Sequence, residues 1–98
     1  LAANHFPSPL HNNTLTVLPN GDVLAVGGVV WDVFTLTGDV QRWSANAWTP
    51  VAALPEPRHD HAATLLPDGR VLVNDGVGSA EVMLRTSFLY DPVANRWS

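Results

Sequence analysis

The sequence predicts an all-β chain made of two four-stranded antiparallel blades of a β-propeller. Three observations predict it: a pattern that returns after about 48 residues, a glycine turn between two apolar runs in each copy, and a pair of spaced aromatic residues that closes each copy. Four short strands per unit at this period are typical of a propeller blade. The two copies therefore indicate two blades in one chain.

The first two strands of each blade are predicted by a hairpin that occurs twice. Residues 15–26 form an apolar run, a proline, Asn20-Gly21 and a second apolar run, and residues 63–74 repeat this order around Asp68-Gly69. Asn-Gly and Asp-Gly favour the type I′ turn, because both central residues of that turn need positive φ. We therefore expect a type I′ hairpin in each copy. The nearly continuous apolar runs predict strands that are covered on both faces.

The third and fourth strands are predicted by aromatic residues. The pattern of the third strand ends at Trp43 in the first copy and at Tyr90 in the second. A short turn then leads to Trp48 or Trp97, which opens the fourth strand. Each unit thus has four strands, as a blade requires.

The order of hairpin, Gly-Gly pair, spaced aromatic residue and tryptophan resembles the kelch repeat, whose period is about 50 residues. The resemblance covers essentially the whole chain, and the style of the second hairpin resembles bacterial and secreted kelch proteins, including galactose-oxidase-like propellers. The resemblance implies that eight residues are framework residues, which hold the blades together: Gly27, Gly28, Gly76, Arg58, His61, Tyr90, Trp48 and Trp97. Arg58 and His61 are expected to bond loop carbonyls and neighbouring blades. The second copy departs from the pattern with Asp75 where the first has Gly27.

The chain is predicted to be a single propeller segment over residues 1–98. The first repeat covers approximately residues 11–58 and the second approximately residues 59–98. Residues 1–10 align with the end of a repeat, and we expect them to supply a permuted fourth strand that closes a blade.

Composition argues against several functions. The net charge is −4, and the five basic residues are all arginines that form no cluster, which argues against a nucleic-acid partner. No apolar run approaches the roughly 18 residues of a membrane helix, so no membrane partner is expected. The chain has no cysteine, which excludes thiolate chemistry and disulfides. The compartment stays open, although the resemblance favours an extracellular one.

The segment His59-Asp60-His61 is the main candidate for chemistry. Alternate residues of a strand share a face, so His59 and His61 could chelate a metal if the segment is extended. We favour a structural role, because no third ligand repeats at a matching position: His61 aligns with Asn13. Gly76-Val77-Gly78 lacks the complete dinucleotide fingerprint and favours a turn. We therefore predict no catalytic residue, no metal site and no cofactor, and expect that the chain is not an enzyme.

The two regions after the second strands, residues 29–38 and 77–85, are predicted to be contact loops. Their candidate interaction residues are Trp31, Asp32, Phe34, Glu81 and Met83. An aromatic residue at position 31 could anchor a protein or stack on a sugar ring, and could equally extend the third strand into the core.

A blade that is apolar on both faces needs a neighbour on each side, and two blades cover only one shared face. We therefore expect self-assembly into a closed ring, with three copies and six blades preferred. The predicted function is a non-catalytic kelch module that acts as a self-assembling structural scaffold or binds a protein or carbohydrate. The alternative is a fragment of a larger kelch enzyme, similar to galactose oxidase or a sugar epimerase, or of a carbohydrate-binding propeller. Copper radical oxidases of this kind depend on a cysteine-linked tyrosine, and this chain has no cysteine.

Overall fold

The structure is a computed structural model that describes residues 10–30 and 35–98. Its strands in chain order are β1 (Leu10–His11), β2 (Thr14–Val17), β3 (Val23–Val26), β4 (Val29–Val30), β5 (Thr35–Leu36), β6 (Val40–Ser44), β7 (Ala47–Val51), β8 (Ala62–Leu65), β9 (Val71–Asn74), β10 (Ser87–Asp91) and β11 (Arg96–Trp97). The first blade is the antiparallel sheet β2-β3-β6-β7, and the second blade is the antiparallel sheet β8-β9-β10-β11. The predicted all-β fold with two four-stranded blades is confirmed.

A small third sheet lies in the region after β3 that the sequence predicted as a loop. Strand β4 pairs antiparallel with both β1 and β5, so these three two-residue strands form a separate small sheet. The equivalent region of the second blade instead contains a 3₁₀ turn at Ser79–Glu81. No helix among residues 10–30 and 35–98 has the length and apolar character needed to cross a membrane.

The turn type predicted for the two hairpins is wrong. Gly21 and Gly69 have positive φ (93° and 91°), but Asn20 and Asp68 do not. The N–H of Gly21 donates to the Leu18 carbonyl, as in a type I turn, and the N–H of Leu18 donates to the Asp22 carbonyl. The proline before each Asn-Gly or Asp-Gly pair explains the difference, because proline cannot donate the pairing hydrogen bond that a two-residue type I′ loop would need. Each hairpin therefore has a type I turn followed by a glycine bulge.

The backbone repeats from blade to blade in its unusual torsion angles. Asp75 has φ of 61° where Gly27 has 64°, and Gly76 has 97° where Gly28 has 105°. Asn12 and Asp60, which also lie 48 residues apart, have φ of 59° and 55°. The two blades therefore repeat in local conformation as well as in sequence.

The core lies between the two blades. Because successive residues of a strand point to opposite faces of the sheet, each blade has one shared face, directed toward the other blade, and one free face, directed away from it. The core cluster combines side chains of the two shared faces with two from the connections: Leu18, Leu24, Val26, Val40, Leu54, Val71, Val73 and Tyr90. Each of them is at most 4% exposed, so this contact is the hydrophobic core of the chain.

The connections divide between the two ends of the sheets. The lower end carries the tight turns at residues 18–22 and 66–70 and the β6–β7 and β10–β11 turns. The upper end carries residues 27–30 and 35–39, the longer connection at residues 75–86 and the crossover between the blades at residues 52–61. The candidate site residues of the sequence lie mainly at this upper end.

Candidate functional site: the blade faces and the upper end

Arg58 occupies the centre of the upper end and is completely buried. Its Nη1 donates to the carbonyls of Asp75 and Thr86, both at 2.8 Å, and its Nη2 donates to the Thr86 hydroxyl at 2.6 Å. The Glu56 carboxylate lies 3.2 Å from Nη2, and the Phe88 ring centroid lies 5.3 Å from the guanidinium carbon. Burial lowers the pKa of Arg58 from its usual value. The surrounding acceptors are those that a buried guanidinium requires, so Arg58 fastens the crossover to the 75–86 connection.

His61 lies where the two blades meet at the upper end. A hydrogen bond of 3.0 Å joins its Nε2 to the Thr14 hydroxyl of the first blade. Burial, together with the nearby positive charge of Arg58, lowers the pKa of His61 to about 4, so the ring is neutral at pH 7. Next to this contact the N–H of Asp60 donates to the Asn12 carbonyl at 3.0 Å. These bonds connect the start of β8 to the start of β2.

The glycines after the second strands allow the crossover to approach closely. A Cβ atom at Gly27 would lie 2.6 Å from the Arg58 carbonyl and 3.0 Å from a ring carbon of His61. A Cβ atom at Gly76 would lie 2.7 Å from the His59 carbonyl. The N–H of Gly28 donates to the Arg58 carbonyl at 2.8 Å. Side chains at these positions would push the crossover away from both blades.

Tyr90 and Trp97 of the second blade hold the other end of the crossover. The Tyr90 hydroxyl donates to the Asn95 side-chain oxygen at 2.7 Å, and the same oxygen accepts the N–H of Ala52 at 2.9 Å. The indole N–H of Trp97 donates to the Ala52 carbonyl at 2.8 Å. Burial raises the pKa of Tyr90. In the first blade the equivalent tryptophan, Trp48, lies half-buried against Trp43, with ring centroids 5.6 Å apart.

Arg42 connects the blades at the lower end, and sequence reasoning assigned it no role. Its Nε donates to the Asp22 carboxylate at 2.8 Å, and its Nη1 donates to the Pro92 carbonyl at 3.0 Å. The Arg42 hydrogen bond holds the pKa of Asp22 below its ordinary value. No local pattern marks this contact, because Arg42 and Pro92 are 50 residues apart.

The free face of the first blade is apolar and exposed on its first strand. Leu15 and Val17 of β2 are 63% and 62% exposed. Their register partners on β3 are Ala25 and Val23, so all four side chains lie on one face. Monomeric proteins seldom leave contiguous apolar surface in water, which marks this face as a candidate contact surface.

The free face of the second blade has a different composition. It combines half-buried Leu72 and Leu89, which are register partners, with Thr64, Asn74 and Ser87 from β8, β9 and β10. These positions are the repeat equivalents of the shared face of the first blade, where Leu24, Val26 and Val40 are buried. The free face of the second blade, which is the second candidate contact surface, therefore corresponds in the repeat to the face of the first blade that is buried in the core.

Two of the predicted interaction residues lie at the tip of the 75–86 connection. Met83 is 81% exposed, and Glu81 is also exposed. Val82 between them is 58% exposed, and Ala80 has a positive φ of 54°. The other three predicted interaction residues, Trp31, Asp32 and Phe34, lie outside the described residues, as does the predicted closing strand near the start of the chain.

His59 and His61, the two histidines that could have chelated a metal, lie in different surroundings. His61 contacts Thr14 in the blade interface, whereas His59 lines a cleft of about 350 Å³ beside the Ser79–Glu81 turn. The Nδ1 of His59 lies 3.3 Å from the Asp60 carboxylate. Within residues 10–30 and 35–98, no three His, Asp or Glu side chains form a group that could hold a metal ion. In Gly76-Val77-Gly78, Val77 pairs with His59 and Met83 through isolated bridges.

The fold and these surfaces define a pair of blades of the β-propeller class. No protein-family profile matches the chain, and no curated protein matches it. Among solved structures, 94 chains match. One is a fungal alcohol oxidase of the AA5 family in complex with copper, with a TM-score of 0.72 and 18% sequence identity. The match covers 91% of this chain and 18% of the oxidase, so this chain spans less than a fifth of that protein, and the likeness concerns the fold alone.

Among the described residues of this chain, no group of His, Asp or Glu side chains could hold a copper ion. There is no cysteine anywhere in the sequence, and the single tyrosine, Tyr90, is buried and hydrogen-bonded to Asn95. His61 lies in the blade interface, whereas His59 lines a separate cleft. The donor set therefore does not fit a copper centre of the oxidase kind.

Proposed function

We propose that the chain is a non-catalytic structural module of the kelch type, which stacks its two blades with further blades to build a propeller. The observation that carries this proposal is the pair of free faces. The core cluster lies between the two shared faces, while Leu15 and Val17 on the free face of the first blade stay more than 60% exposed. Repeat units of this kind gain stability mainly from their neighbours, so two blades are fewer than such a fold usually needs.

The preferred assembly is a ring of identical chains. Propellers have about four to eight blades, and a two-blade chain divides evenly into four, six or eight of them. Three copies would give six blades. The upper ends of all the blades would then lie together on one side of the ring. Their exposed residues, Met83 and Glu81 among them, would present a contact surface to a protein or carbohydrate partner.

Light scattering coupled to size-exclusion chromatography tests the proposal on the 98-residue chain at micromolar concentration. One chain has a mass of 10.6 kDa, so three copies would give about 32 kDa. Leu15→Arg places a charge on the free face of the first blade and should reduce the assembled mass to that of one chain. Val93→Arg is the matched control, because Val93 is 97% exposed in the lower β10–β11 turn and lies on neither face.

A second candidate is favoured by the comparison with the oxidase, of which the match covers only 18%. In that case the chain is a segment of a larger propeller, and other blades of the same polypeptide cover its free faces. The isolated segment should then form aggregates of undefined mass. A single-chain mass combined with cooperative unfolding would overturn both candidates, because the free faces would then need no neighbour.

A further inference from the structure

We propose that copies of this chain join head to tail, with the free face of the first blade of one copy packed on the free face of the second blade of the next. This inference rests on the proposed function and names the surfaces that carry it out. Its basis is the interface inside the chain, where the repeat equivalents of the two free faces already pack against each other.

The in-chain interface brings two different faces together. The first blade contributes the face that contains Leu24 and Val26, and the second blade contributes the face that contains Val71 and Val73. In the repeat, Leu24 corresponds to Leu72 and Val71 corresponds to Val23. Leu72 is on the free face of the second blade, and Val23 is on the free face of the first blade. The two free faces are therefore the repeat equivalents of the two faces that already pack against each other.

A backbone hydrogen bond at the upper end also joins equivalent positions of the two repeats. Inside the chain, the N–H of Asp60 donates to the Asn12 carbonyl at 3.0 Å. These residues are 48 positions apart and share a left-handed conformation, with φ of 55° and 59°. If the next copy continues the stack, its Asn12 takes the place of Asp60, and its N–H meets the Asp60 carbonyl of the copy before it. The same backbone hydrogen bond can therefore form between each blade and the next, both inside a chain and between chains.

The head-to-tail contact differs in polarity from the in-chain contact. Inside the chain, Thr14 and His61 are joined by a hydrogen bond of 3.0 Å, and Arg42 reaches the Pro92 carbonyl. The equivalent positions between copies hold Ala62 in place of Thr14 and Leu89 in place of Arg42. The contact between copies therefore depends on apolar packing of Leu15, Val17, Leu72 and Leu89. A contact of this kind joins two different surfaces, and it closes into a ring or continues as a filament.

Thiol cross-linking tests the direction of the contact, and the absence of native cysteine removes the background. Ala62→Cys and Asn13→Cys place single thiols at the equivalents of Thr14 and His61. A mixture of the two variants, treated with a short bis-maleimide, should give covalent dimers, whereas each variant alone should stay a single chain on a denaturing gel. Val93→Cys mixed with Asn13→Cys is the control, and it should give no dimer because position 93 lies at the lower end.

Each other outcome overturns the inference. Dimers formed by Ala62→Cys alone would show a two-fold contact between second blades. Assembled chains without any cross-link in the mixture would show that other surfaces make the contact. In both cases the solution mass would still support the proposed function. A single-chain mass for the unmodified protein would instead overturn the proposed function itself, so the two failures can be told apart.

Discussion

The hydroxyl of Thr14 and the Nε2 of His61 lie 3.0 Å apart, and this hydrogen bond joins the first strands of the two blades. His61 is only 8% exposed, and the positive charge of Arg58 disfavours its protonation. Asp60 favours protonation and His59 opposes it, but burial is the largest influence. A proton on His61 therefore places an unfavourable charge in the blade interface.

We expect the free energy of unfolding to fall as the pH decreases from 6.5 to about 4. The pKa of His61 is about 4 in the folded chain and near 6.5 in the unfolded chain. The unfolded chain therefore binds the proton first, and stability that is present above pH 6.5 is lost as the pH falls to the folded value. The full loss from this residue is roughly 3 kcal/mol. Urea denaturation at several pH values measures it.

His61→Gln is the control for the pH prediction. Glutamine can keep a hydrogen bond to Thr14 but does not titrate, so the stability of this variant should change much less between pH 6.5 and 4. Below pH 4 both proteins should lose stability, because the carboxyls of Asp22 and Asp68 have lowered pKa values in the folded chain. An equal slope for both proteins between pH 4 and 6.5 would contradict the role assigned to His61.

Arg58→Met should be strongly destabilising. The change keeps much of the side-chain volume but removes the donors for the carbonyls of Asp75 and Thr86 and the partner of Glu56. Each buried acceptor left without its donor typically costs about 1–3 kcal/mol, and the two carbonyls and the Thr86 hydroxyl all lose theirs, whereas Glu56 is 43% exposed and can be hydrated. Thermal and urea unfolding would measure the loss. Arg85→Met is the matched control, because Arg85 is exposed and its replacement should change stability by less than about 0.5 kcal/mol.

Asn95 offers a prediction about the crossover. Its side-chain oxygen accepts from both the Tyr90 hydroxyl and the N–H of Ala52, and its backbone has a positive φ of 53°. Asn95→Gly keeps the backbone conformation accessible but removes the acceptor, and should destabilise by about 1–3 kcal/mol. Asn95→Ala adds backbone strain and should be worse by about 1 kcal/mol. If the glycine variant were as stable as the natural chain, the side-chain hydrogen bonds would contribute nothing.

The extent of sequence prediction can be judged from particular residues. The two hairpins were predictable because their signals are local, although the prolines at positions 19 and 67 changed the turn type. Asp75 has nearly the same positive φ as Gly27, with which it aligns, but the sequence showed it only as a departure from the repeat pattern. The contact of Arg42 with the Pro92 carbonyl was not predictable, since it depends on how two blades dock and has no local pattern.

Alanine substitutions at two glycines distinguish the cost of backbone strain from the cost of a steric clash. Gly21 and Gly27 both have positive φ, at 93° and 64°. A Cβ atom at Gly21 would meet nothing within 4 Å, whereas one at Gly27 would lie 2.6 Å from the Arg58 carbonyl. Gly21→Ala should therefore cost only the strain of a left-handed residue, about 1–2 kcal/mol. Gly27→Ala should cost that strain and also displace the crossover, so its loss should exceed that of Gly21→Ala by at least about 1 kcal/mol. Urea denaturation measures the free energy of unfolding of both variants. Equal decreases would mean that the crossover moves away from Gly27 at no cost, so that its close approach does not stabilise the blade interface.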